Sequence, residues 1–455
     1  MKSVNCSFSV SVTDWSDARA ALFTDDGCEN AGAFLCGLSR TEQGGRLLAR
    51  EFVPVPADLY RARQPFHLEV APQFYNDLVT RCERTGLHLV IVHSHPMHGD
   101  ARYSASDDHG ESRLLAILQM LLPQSVVASL VVTRDDVTGR RFLSGRFAPL
   151  SGMRVVGSSI TSTRFTKNRR EGAVESRYDR QVRAFGEAGQ RLLSSLRVAV
   201  VGLGGTGSIV AEQLARIGVG HLILIDHDQV DETNLTRVLG ARDRDVGRPK
   251  VSTLHRHLSG IARGTIEEIY ASALKQDIVM SLRDCDAVFS CVDNDRTRAV
   301  LNRFAHQYQV PVIDMGVRID ARTGRVTAAA GRVSVIGNDL TCLRCSHHLS
   351  STRILAESLP DAERERLAKE GYVMGVEEAP PTVISLNTVV AGLAVTAFLN
   401  LFAKLTGGCQ PSDQMYDATS GSVFQVSTSH ELGCDVCDPH VGVKALGDAQ
   451  VVSAY

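Results

Sequence analysis

The chain has 455 residues, 44% of them hydrophobic, and a formal net charge of −2 at pH 7. A chain of this length exceeds what one hydrophobic core usually serves, so at least two domains are expected. The near-zero net charge argues against a nucleic-acid-binding protein that depends on phosphate contacts.

Targeting and membrane signals are the next feature. The N-terminus "MKSVNCSFSVSVTDW" has no apolar core of signal-peptide length. The longest apolar stretch, "VVAGLAVTAFLNLF", is shorter than a membrane span and carries an asparagine, so it predicts a buried core helix. Eleven cysteines without a secretion signal indicate thiols and metal sites in a reducing compartment. The sequence therefore predicts a cytoplasmic protein with neither a membrane nor a nucleic acid as partner.

The first third of the chain contains a cluster of metal-ligand residue types. The apolar run in "GLHLVIVHSHP" predicts a buried strand, and because alternate strand residues share a face, His93 and His95 point to one side. Two such imidazoles suit one metal ion, and Asp107 supplies a carboxylate while a fourth position stays open, as in catalytic zinc sites. A chance pair of solvated histidines is the alternative. Three neighbours are interpreted as solvated, with Asp108 as the rival of Asp107: His98, Asp108 and His109.

The spacing of these residues resembles a family motif. "HSHP", seven residues and then "SASD" match the His-x-His-Pro-x7-Ser-x-x-Asp motif of the JAMM (JAB/MPN) metalloprotease family. That family also uses a glutamate in a Glu-x-x-Gly setting, which Glu29 and Gly32 in "CENAGAFLCG" resemble. The resemblance implies that Glu29 carries a proton from a zinc-activated water to the leaving amine, and that Ser104 donates to the developing oxyanion.

A domain boundary is indicated by the stretch "GSSITSTRFTKNRREGAVESRYDRQ", which is polar, basic and without apolar periodicity. This composition is typical of a linker. We expect a first domain at residues 1–156, a linker at 157–176 and a second domain at 177–445.

The second domain opens with a glycine-rich loop between a strand and a helix. In "LRVAVVGLGGTGSIVAEQLARIGVGHLILID" a β-branched strand leads into glycines, a helix with apolar spacing follows, and a second strand ends at Asp226. Glycines let the backbone approach phosphates and the helix N-terminus supplies N–H donors, so the pattern predicts a nucleotide-binding βαβ unit. The glycines are Gly202, Gly204, Gly205 and Gly207. Alone, the pattern is also typical of a nicotinamide or flavin enzyme.

Four segments around this loop resemble a second family. "SRYDRQ", "IDHDQVDETNLTRVL", "DVGRPK" and "AVFSCVDNDRTR" are similar to the adenylation domain of the ThiF/MoeB and ubiquitin-activating enzyme family, which uses ATP and Mg²⁺. The resemblance implies a role for each matching residue: ribose binding for Asp226, a further nucleotide contact for Asp228, triphosphate neutralisation for Asn234, Arg237 and Lys250, and magnesium binding for Asp293. It also implies that Arg180 contacts the nucleotide of the neighbouring subunit, and therefore that the protein is a homodimer. Two simpler interpretations stay open, with Lys250 as a solvated charge and Asp228 as a helix cap.

The cysteines of the second domain fall into two groups. "CLRC" and "CDVC" form two CxxC knuckles that together predict a closed structural zinc site: Cys342, Cys345, Cys434 and Cys437. A redox role for either pair is the alternative. Cys285 and Cys291 are predicted core residues. Ubiquitin-activating enzymes carry a nucleophilic cysteine after the first knuckle, but residues 346–408 contain none. Either the adenylate passes directly to a separate thiol, as in the MoeB branch of the family, or Cys409 forms the thioester from an unusual position.

Together these observations predict an α/β fold, with an N-terminal JAMM α/β domain followed by a Rossmann-like adenylation domain that has a mixed, mostly parallel sheet. The resemblances imply a fused enzyme that adenylates the C-terminal carboxylate of a ubiquitin-like protein and trims or removes that protein with a zinc peptidase. A ubiquitin-conjugating-enzyme-like protein is an expected partner, since such fusions resemble bacterial ubiquitin-like systems, some of them implicated in phage defence. Activation of a sulfur-carrier protein for biosynthesis is the alternative, and a binding scaffold with inactive sites is a third class.

Overall fold

The computed structural model describes residues 5–42, 44–165, 173–322, 325–360, 362–364, 366, 381–407 and 412–452. The chain divides into two compact units. The first contains Met1–Arg170, Gln307–Gln309 and Val443–Val451, and the second contains Glu171–His306, Val310–Gly442 and Val452–Tyr455.

Among its described residues, the first unit contains a nine-stranded mixed sheet, a two-stranded hairpin and three α-helices. Its elements are β1 (Cys6–Ser11), α1 (Val12–Leu22), β2 (Ala31–Thr41), β3 (Gly44–Pro54), β4 (Tyr60–Gln64), β5 (His67–Val70), α2 (Pro72–Thr85), β6 (His88–Ser94), α3 (Ala105–Leu121), β7 (Val127–Val132), β8 (Val137–Leu143), β9 (Arg146–Pro149), β10 (Gly152–Val156) and β11 (Thr161–Arg164). The strand order is β11-β10-β1-β3-β2-β6-β7-β8-β9, and β4 pairs with β5 as a separate hairpin.

Helices cover both faces of this sheet. On one face α1 contributes Ala18 and Leu22 to a cluster with buried strand residues such as Phe34. On the other face Leu78 of α2 and Leu115 of α3 pack into a second cluster. Because both faces are covered, β6 is buried along its whole length, as the apolar run predicts.

Two segments of the first unit lie outside the predicted first domain. Strand β11 falls within the predicted linker and pairs antiparallel with β10. An edge strand is held by backbone hydrogen bonds, so it needs no apolar periodicity. Residues 443–451 also join this unit: Gly447 bridges to Leu38 of β2, and Asp448 accepts from the backbone N–H of Arg40 over 2.7 Å. Lys444 Nζ lies 2.8 Å from the carboxylate of Asp14.

The second unit is built on an eight-stranded sheet. Its elements are α4 (Asp179–Leu193), β12 (Arg197–Val201), α5 (Gly205–Ile217), β13 (His221–Asp226), α6 (Lys250–Leu258), β14 (Thr265–Tyr270), α7 (Gln276–Ser281), β15 (Ala287–Ser290), α8 (Asp295–Tyr308), β16 (Val312–Arg322), β17 (Arg325–Ile336), α9 (Ser351–Ser358), α10 (Ile384–Ala403), β18 (Asp413–Asp417) and β19 (Ser422–Gln425). Short 3₁₀ helices occur in both units, at Ala57–Leu59, Ser176–Tyr178, Glu232–Asn234, Asp243–Asp245 and Leu282–Asp284.

The order of this second sheet is β14-β13-β12-β15-β16-β17-β18-β19. Neighbouring strands run parallel from β14 through β16 and antiparallel from β16 through β19. The parallel part is a Rossmann-like arrangement in which the carboxyl ends of β12, β13 and β15 share one edge. The predicted α/β fold with a mixed, mostly parallel second sheet is confirmed.

Helix α10 contains the apolar stretch that predicts a core helix. Ile384–Ala403 is long and apolar enough to cross a membrane, with a mean hydropathy of 1.8, but 61% of that window is buried inside the protein. Phe398 packs between Phe289 of β15 and Phe402 of the same helix. This packing fits the predicted core helix.

Candidate functional site

Neighbouring strands bring the predicted metal ligands of the first unit together. His93 lies near the end of β6 and pairs with Ala31, the first residue of β2. This pairing places Glu29, two residues before Ala31, beside the histidines. His95 follows β6, where its backbone N–H donates to the Val132 carbonyl over 2.8 Å.

Three side chains form the His–Asp cluster: His93, His95 and Asp107. Their ligand atoms all lie within 4.8 Å of one another. Nε2 of His93 and Nε2 of His95 each lie 3.3 Å from a different carboxylate oxygen of Asp107. Oε1 of Glu29 lies 4.0 Å from Nε2 of His95. The cluster therefore offers three ligands, and Glu29 lies beside it without joining the group whose ligand atoms are all within 4.8 Å of one another.

Helix α3 orients Asp107. Ser104 is the N-cap residue, and its hydroxyl accepts from the Asp107 backbone N–H over 3.1 Å. In return Asp107 Oδ2 accepts from the Ser104 backbone N–H over 2.6 Å and from its hydroxyl over 2.8 Å, which completes a capping box. The hydroxyl predicted to face an oxyanion thus donates to Asp107 in this structure.

The electrostatics of the cluster follow from burial and mutual attraction. Burial alone would lower the pKa of His93, but the carboxylates of Asp107, Glu111 and Glu29 outweigh it and raise that pKa. Burial would raise the pKa of Asp107, yet its contacts with the two histidines hold the pKa well below the usual range. Burial raises the pKa of Glu29 despite the nearby charges of the same histidines.

The His–Asp cluster fits a zinc ion. Nε2 of His93 is buried and makes no hydrogen bond to any of the residues that the structure describes. Two imidazoles and one carboxylate are the donor set of an open zinc site. The three neighbouring side chains lie elsewhere: His98 contacts Asp135, Asp108 pairs with Arg140, and His109 is exposed.

In the second unit, the glycine loop joins β12 to α5. Gly202 has φ +86°, a left-handed conformation that favours glycine. A methyl group at Gly207 would lie 1.9 Å from the Gly202 carbonyl oxygen, and one at Gly202 would lie 2.7 Å from that of Cys291. The loop after β12 therefore lies against the loop after β15, which carries Asp293. Gly204 is the N-cap residue of α5, so the helix start faces the same edge.

Asp226 ends β13 and is tied to the glycine loop. Its carboxylate accepts from the Leu203 N–H over 2.6 Å and from the Asp228 N–H over 2.8 Å. Asp228 in turn lies 2.8 Å from Nζ of Lys250. Asp226, His227 and Asp228 also place three ligand-type atoms within 4.8 Å, but two of these side chains already have the partners just described. Lys250 is an ion-paired residue here, so the interpretation of a merely solvated charge is not supported.

The remaining predicted groups surround the same edge. Arg237 reaches the loop, since its Cδ would lie 3.2 Å from a methyl group at Gly205. Asn234 is buried, and its backbone carbonyl accepts from the Arg237 N–H over 3.0 Å. Asp293 is exposed. Arg180 lies in the first turn of α4 and is also exposed.

Two residues near this edge were not predicted from the sequence. Nδ2 of Asn387 would lie 2.2 Å from a methyl group at Gly205, so α10 closes the glycine loop from one side. Glu357 of α9 accepts from the backbone N–H groups of Asp295 and Arg296 at the start of α8, over 3.2 and 2.7 Å. The local signal for Asn387 is an amide in the first turn of a mostly apolar helix.

The predicted knuckles meet in the second unit as the four-cysteine cluster, which consists of Cys342, Cys345, Cys434 and Cys437. Their sulfur atoms lie within 4.8 Å of one another. Two sulfurs accept hydrogen bonds, Cys345 from the Glu431 N–H over 3.4 Å and Cys342 from Asn302 Nδ2 over 3.5 Å. Such donors stabilise thiolates, so the cluster fits a structural zinc ion and no redox role is needed to explain it.

The other cysteines of this unit divide as follows. Burial raises the pKa of Cys285 to about 12, and it raises that of Cys291 further, which fits two core thiols. Cys409, the candidate for a thioester, lies outside the described residues.

Comparisons with known proteins agree with both resemblances. The ThiF family model matches residues 178–434, and the model for prokaryotic homologs of the JAB domain matches residues 18–144. Molybdopterin-synthase adenylyltransferase of Salmonella typhimurium is 32% identical over 57% of this chain and 95% of its own length. The SAMP-activating enzyme E1 of Haloferax volcanii is 31% identical over 35% of this chain and 56% of its own length. Ubiquitin-like modifier-activating enzyme 5 of rice is 29% identical over 46% and 48%. The structure of E. coli MccB with ATP has 20% identity and a TM-score of 0.46 over 58% of this chain and 75% of that one.

A Rossmann-like unit with a glycine loop and a four-cysteine cluster, together with these comparisons, defines an enzyme of the adenylyltransferase class, and the same chain carries a His–Asp cluster on a mixed sheet. The chain belongs to the ThiF family and also carries a domain of the JAB type. The predicted fusion of these two families is therefore confirmed, and the alternative of a nicotinamide or flavin enzyme is wrong.

Proposed function

We propose that this protein activates the C-terminal carboxylate of a ubiquitin-like or sulfur-carrier protein by adenylation, and that its JAB-type domain is a zinc peptidase acting on the same kind of carrier. The peptidase part depends on one observation, the convergence of His93, His95 and Asp107 within 4.8 Å. A scaffold with inactive sites would have no reason to bring two imidazoles and a carboxylate together in a largely buried position, because taking such groups out of water costs stability.

In adenylation, a carrier carboxylate attacks the α-phosphate of ATP and pyrophosphate leaves. Magnesium would neutralise phosphate charge when held by Asp293. The carboxylate of Asp226 lies at the end of a parallel strand, where it would bind the ribose hydroxyls. Arg237 lies against the glycine loop and would contact the phosphates directly. Lys250 would exchange its Asp228 partner for the triphosphate, so binding replaces one ion pair by another.

In peptide hydrolysis, zinc would lower the pKa of a water molecule and polarise the scissile carbonyl. His93, His95 and Asp107 would hold the ion. Glu29, whose pKa burial raises, would take a proton from the water and deliver it to the leaving amine. Ser104 would turn its hydroxyl from Asp107 toward the oxyanion, or would act by holding Asp107 in place.

The carrier class is suggested by the names of the relatives. They include an activating enzyme for SAMP, one for a ubiquitin-like modifier, and a molybdopterin-synthase adenylyltransferase. The chain covers 95% of the molybdopterin-synthase adenylyltransferase, so a sulfur carrier is the second candidate beside a ubiquitin-like modifier. If the carrier is a ubiquitin-like modifier, a ubiquitin-conjugating-enzyme-like protein would accept it after activation. We further propose a homodimer in which Arg180 contacts the neighbouring nucleotide, and a cytoplasmic location, since all ten cysteines among the described residues are free thiols.

The two proposed activities are tested with two single substitutions in the full chain, each measured for both activities. His95→Ala should abolish cleavage of a carrier fusion and leave carrier-dependent ATP–pyrophosphate exchange unchanged. Asp293→Ala should abolish exchange, because unscreened phosphates raise the barrier by several kcal/mol, roughly 10³-fold or more in rate, and should leave cleavage unchanged. Cleavage that survives His95→Ala would contradict the peptidase, and exchange that survives Asp293→Ala would contradict the magnesium role.

A further inference from the structure

The buried ring of His93 lies between two carboxylates. Its Nε2 lies 3.3 Å from Asp107 Oδ1, and its Nδ1 lies 3.7 Å from Oε1 of Glu111. His93 is 9% exposed and Glu111 is 6% exposed. Oε1 of Glu111 makes no hydrogen bond to any residue that the structure describes. An ionisable oxygen without a partner, pointing at the free side of a metal-ligand histidine, needs an explanation other than packing.

The other oxygen of Glu111 is firmly held. Oε2 accepts from Ser129 Oγ over 2.7 Å, and from Nε and Nη2 of Arg140 over 3.0 and 2.8 Å. The Arg140 guanidinium lies 3.6 Å from the ring centroid of Tyr103 and 3.7 Å from that of Phe147. A planar cation between two aromatic rings is fixed in position. This arrangement compensates the charge of Glu111 and leaves Oε1 facing His93.

Helix geometry explains why both carboxylates face the same ring. Asp107 and Glu111 are four residues apart on α3, so they lie one turn apart on one face. A carboxylate at Nδ1 favours the tautomer that carries its proton on Nδ1, which keeps the Nε2 lone pair free for a metal. The 3.7 Å separation exceeds a hydrogen bond by about 0.7 Å, a gap that a small side-chain rotation closes.

We propose that Glu111 is a positioning residue of the metal site: it holds the proton of His93 on Nδ1 and fixes the ring so that Nε2 faces the point shared with His95 and Asp107. Arg140 acts on the same ring indirectly, because it holds Glu111 in position. The proposal rests on the proposed zinc peptidase, but it concerns the assembly of the site and not the chemistry.

The test is the zinc affinity of the His–Asp cluster in the full chain, measured by competition with a chelator that leaves zinc on the four-cysteine cluster. Glu111→Gln keeps the shape of the side chain and removes its charge, and the affinity should fall about 10–100-fold, as for other residues that orient metal ligands. Asp108→Asn is a matched control. Like Glu111→Gln, it replaces an acid by its amide on α3, and Asp108 also pairs with Arg140, but Asp108 does not face His93. The zinc affinity should therefore change by less than about twofold.

A second measurement separates positioning from a merely structural role. In protein labelled with ¹⁵N at histidine and loaded only at the four-cysteine cluster, the His93 ring should carry its proton on Nδ1, and Glu111→Gln should shift it toward Nε2. ATP–pyrophosphate exchange should stay unchanged. If Glu111→Gln is insoluble, Arg140→Lys should lower the zinc affinity in the same direction, since lysine lacks the planar fork.

The outcomes are distinct. Equal zinc affinity and an unchanged tautomer in Glu111→Gln would overturn the role of Glu111 while leaving the peptidase intact. A wild-type chain whose His–Asp cluster takes up no zinc would overturn the proposed peptidase itself, and this role with it.

Discussion

The His–Asp cluster and the four-cysteine cluster have the same compactness, with all ligand atoms within 4.8 Å, but differ in what surrounds them. The four-cysteine cluster offers four ligands, and N–H groups from Glu431 and Asn302 donate to its sulfurs. The His–Asp cluster has three ligands, and two further carboxylates lie beside it, Glu111 at 3.7 Å from Nδ1 of His93 and Glu29 at 4.0 Å from Nε2 of His95. Four ligands saturate a tetrahedral ion, whereas three leave one position for a reactant.

This difference suits the two clusters to two tasks, once each holds the proposed zinc ion. A saturated ion joins distant segments of the chain and contributes to folding, while an unsaturated ion needs a proton carrier within reach but outside its ligand set. The number of ligands and the residues around them together therefore separate the proposed structural site from the proposed catalytic one. Four substitutions test that separation.

The largest effect is expected at the four-cysteine cluster. Cys434→Ser should lower the free energy of unfolding of the second unit by at least about 5 kcal/mol, because structural zinc supplies about 10–16 kcal/mol in zinc-finger peptides. Denaturant unfolding, followed as two transitions, measures this change. Cys28→Ser, the same change outside either cluster, should cost less than about 0.5 kcal/mol. Equal effects of the two substitutions would remove the distinction between the clusters.

The next effect concerns the proton carrier. Glu29→Gln should lower peptidase turnover about 10²–10⁴-fold, the usual contribution of a general base, while the zinc content per chain stays the same. Turnover of a carrier fusion and metal analysis of the same sample measure both quantities. Loss of zinc together with turnover would make Glu29 a fourth ligand, and the two clusters would then be of one kind.

Ser104 separates two roles on the open side of the His–Asp cluster. Ser104→Ala should lower turnover about 10²–10³-fold if the hydroxyl donates to the oxyanion, with zinc affinity unchanged. The capping box predicts an additional loss of about 0.5–2 kcal/mol of stability. A fall in zinc affinity that matches the fall in turnover would show that the hydroxyl acts through Asp107.

The smallest effect is expected at Cys409. If the adenylate passes directly to another protein, no thioester accumulates on this chain, and Cys409→Ala changes nothing on a nonreducing gel of enzyme, carrier and ATP. The sulfurs of the four-cysteine cluster would be held by zinc and could not replace it. A thiol-sensitive adduct that disappears in the variant would make Cys409 catalytic.

The sequence predicts those parts of each site whose residues lie close together along the chain. Alternation along β6 predicts that His93 and His95 share a side, and the motif adds Asp107 one loop later. Two CxxC pairs predict the four-cysteine cluster even across a long separation, because each pair fixes two sulfurs locally. The glycine loop and Asp226 belong to a single βαβ unit, so their proximity also follows from local order.

The parts that were missed depend on tertiary packing. Glu111 lies four residues after Asp107 and is visible on one helix face, but nothing in the sequence shows that this face meets His93. Arg140 comes from β8, and its place beside Glu111 depends on the strand order of the whole sheet. Asn387 reaches the glycine loop from α10 across more than 180 residues. Such contacts follow from topology, which periodicity alone does not specify.

The segment Val443–Val451, which joins the first unit, has a consequence for biosynthesis. During translation, the N-terminal sheet leaves the ribosome well before this segment is made. About 270 residues separate Arg170 from Val443, which corresponds to about 15–55 s of synthesis at ~5–20 residues per second. Throughout that interval the backbone of β2 at Leu38 lacks the bridge that Gly447 later provides. The nascent N-terminal unit therefore completes its fold only after nearly all of the adenylation unit has been made, which delays the proposed peptidase until the unit proposed to activate its carrier has also been synthesised.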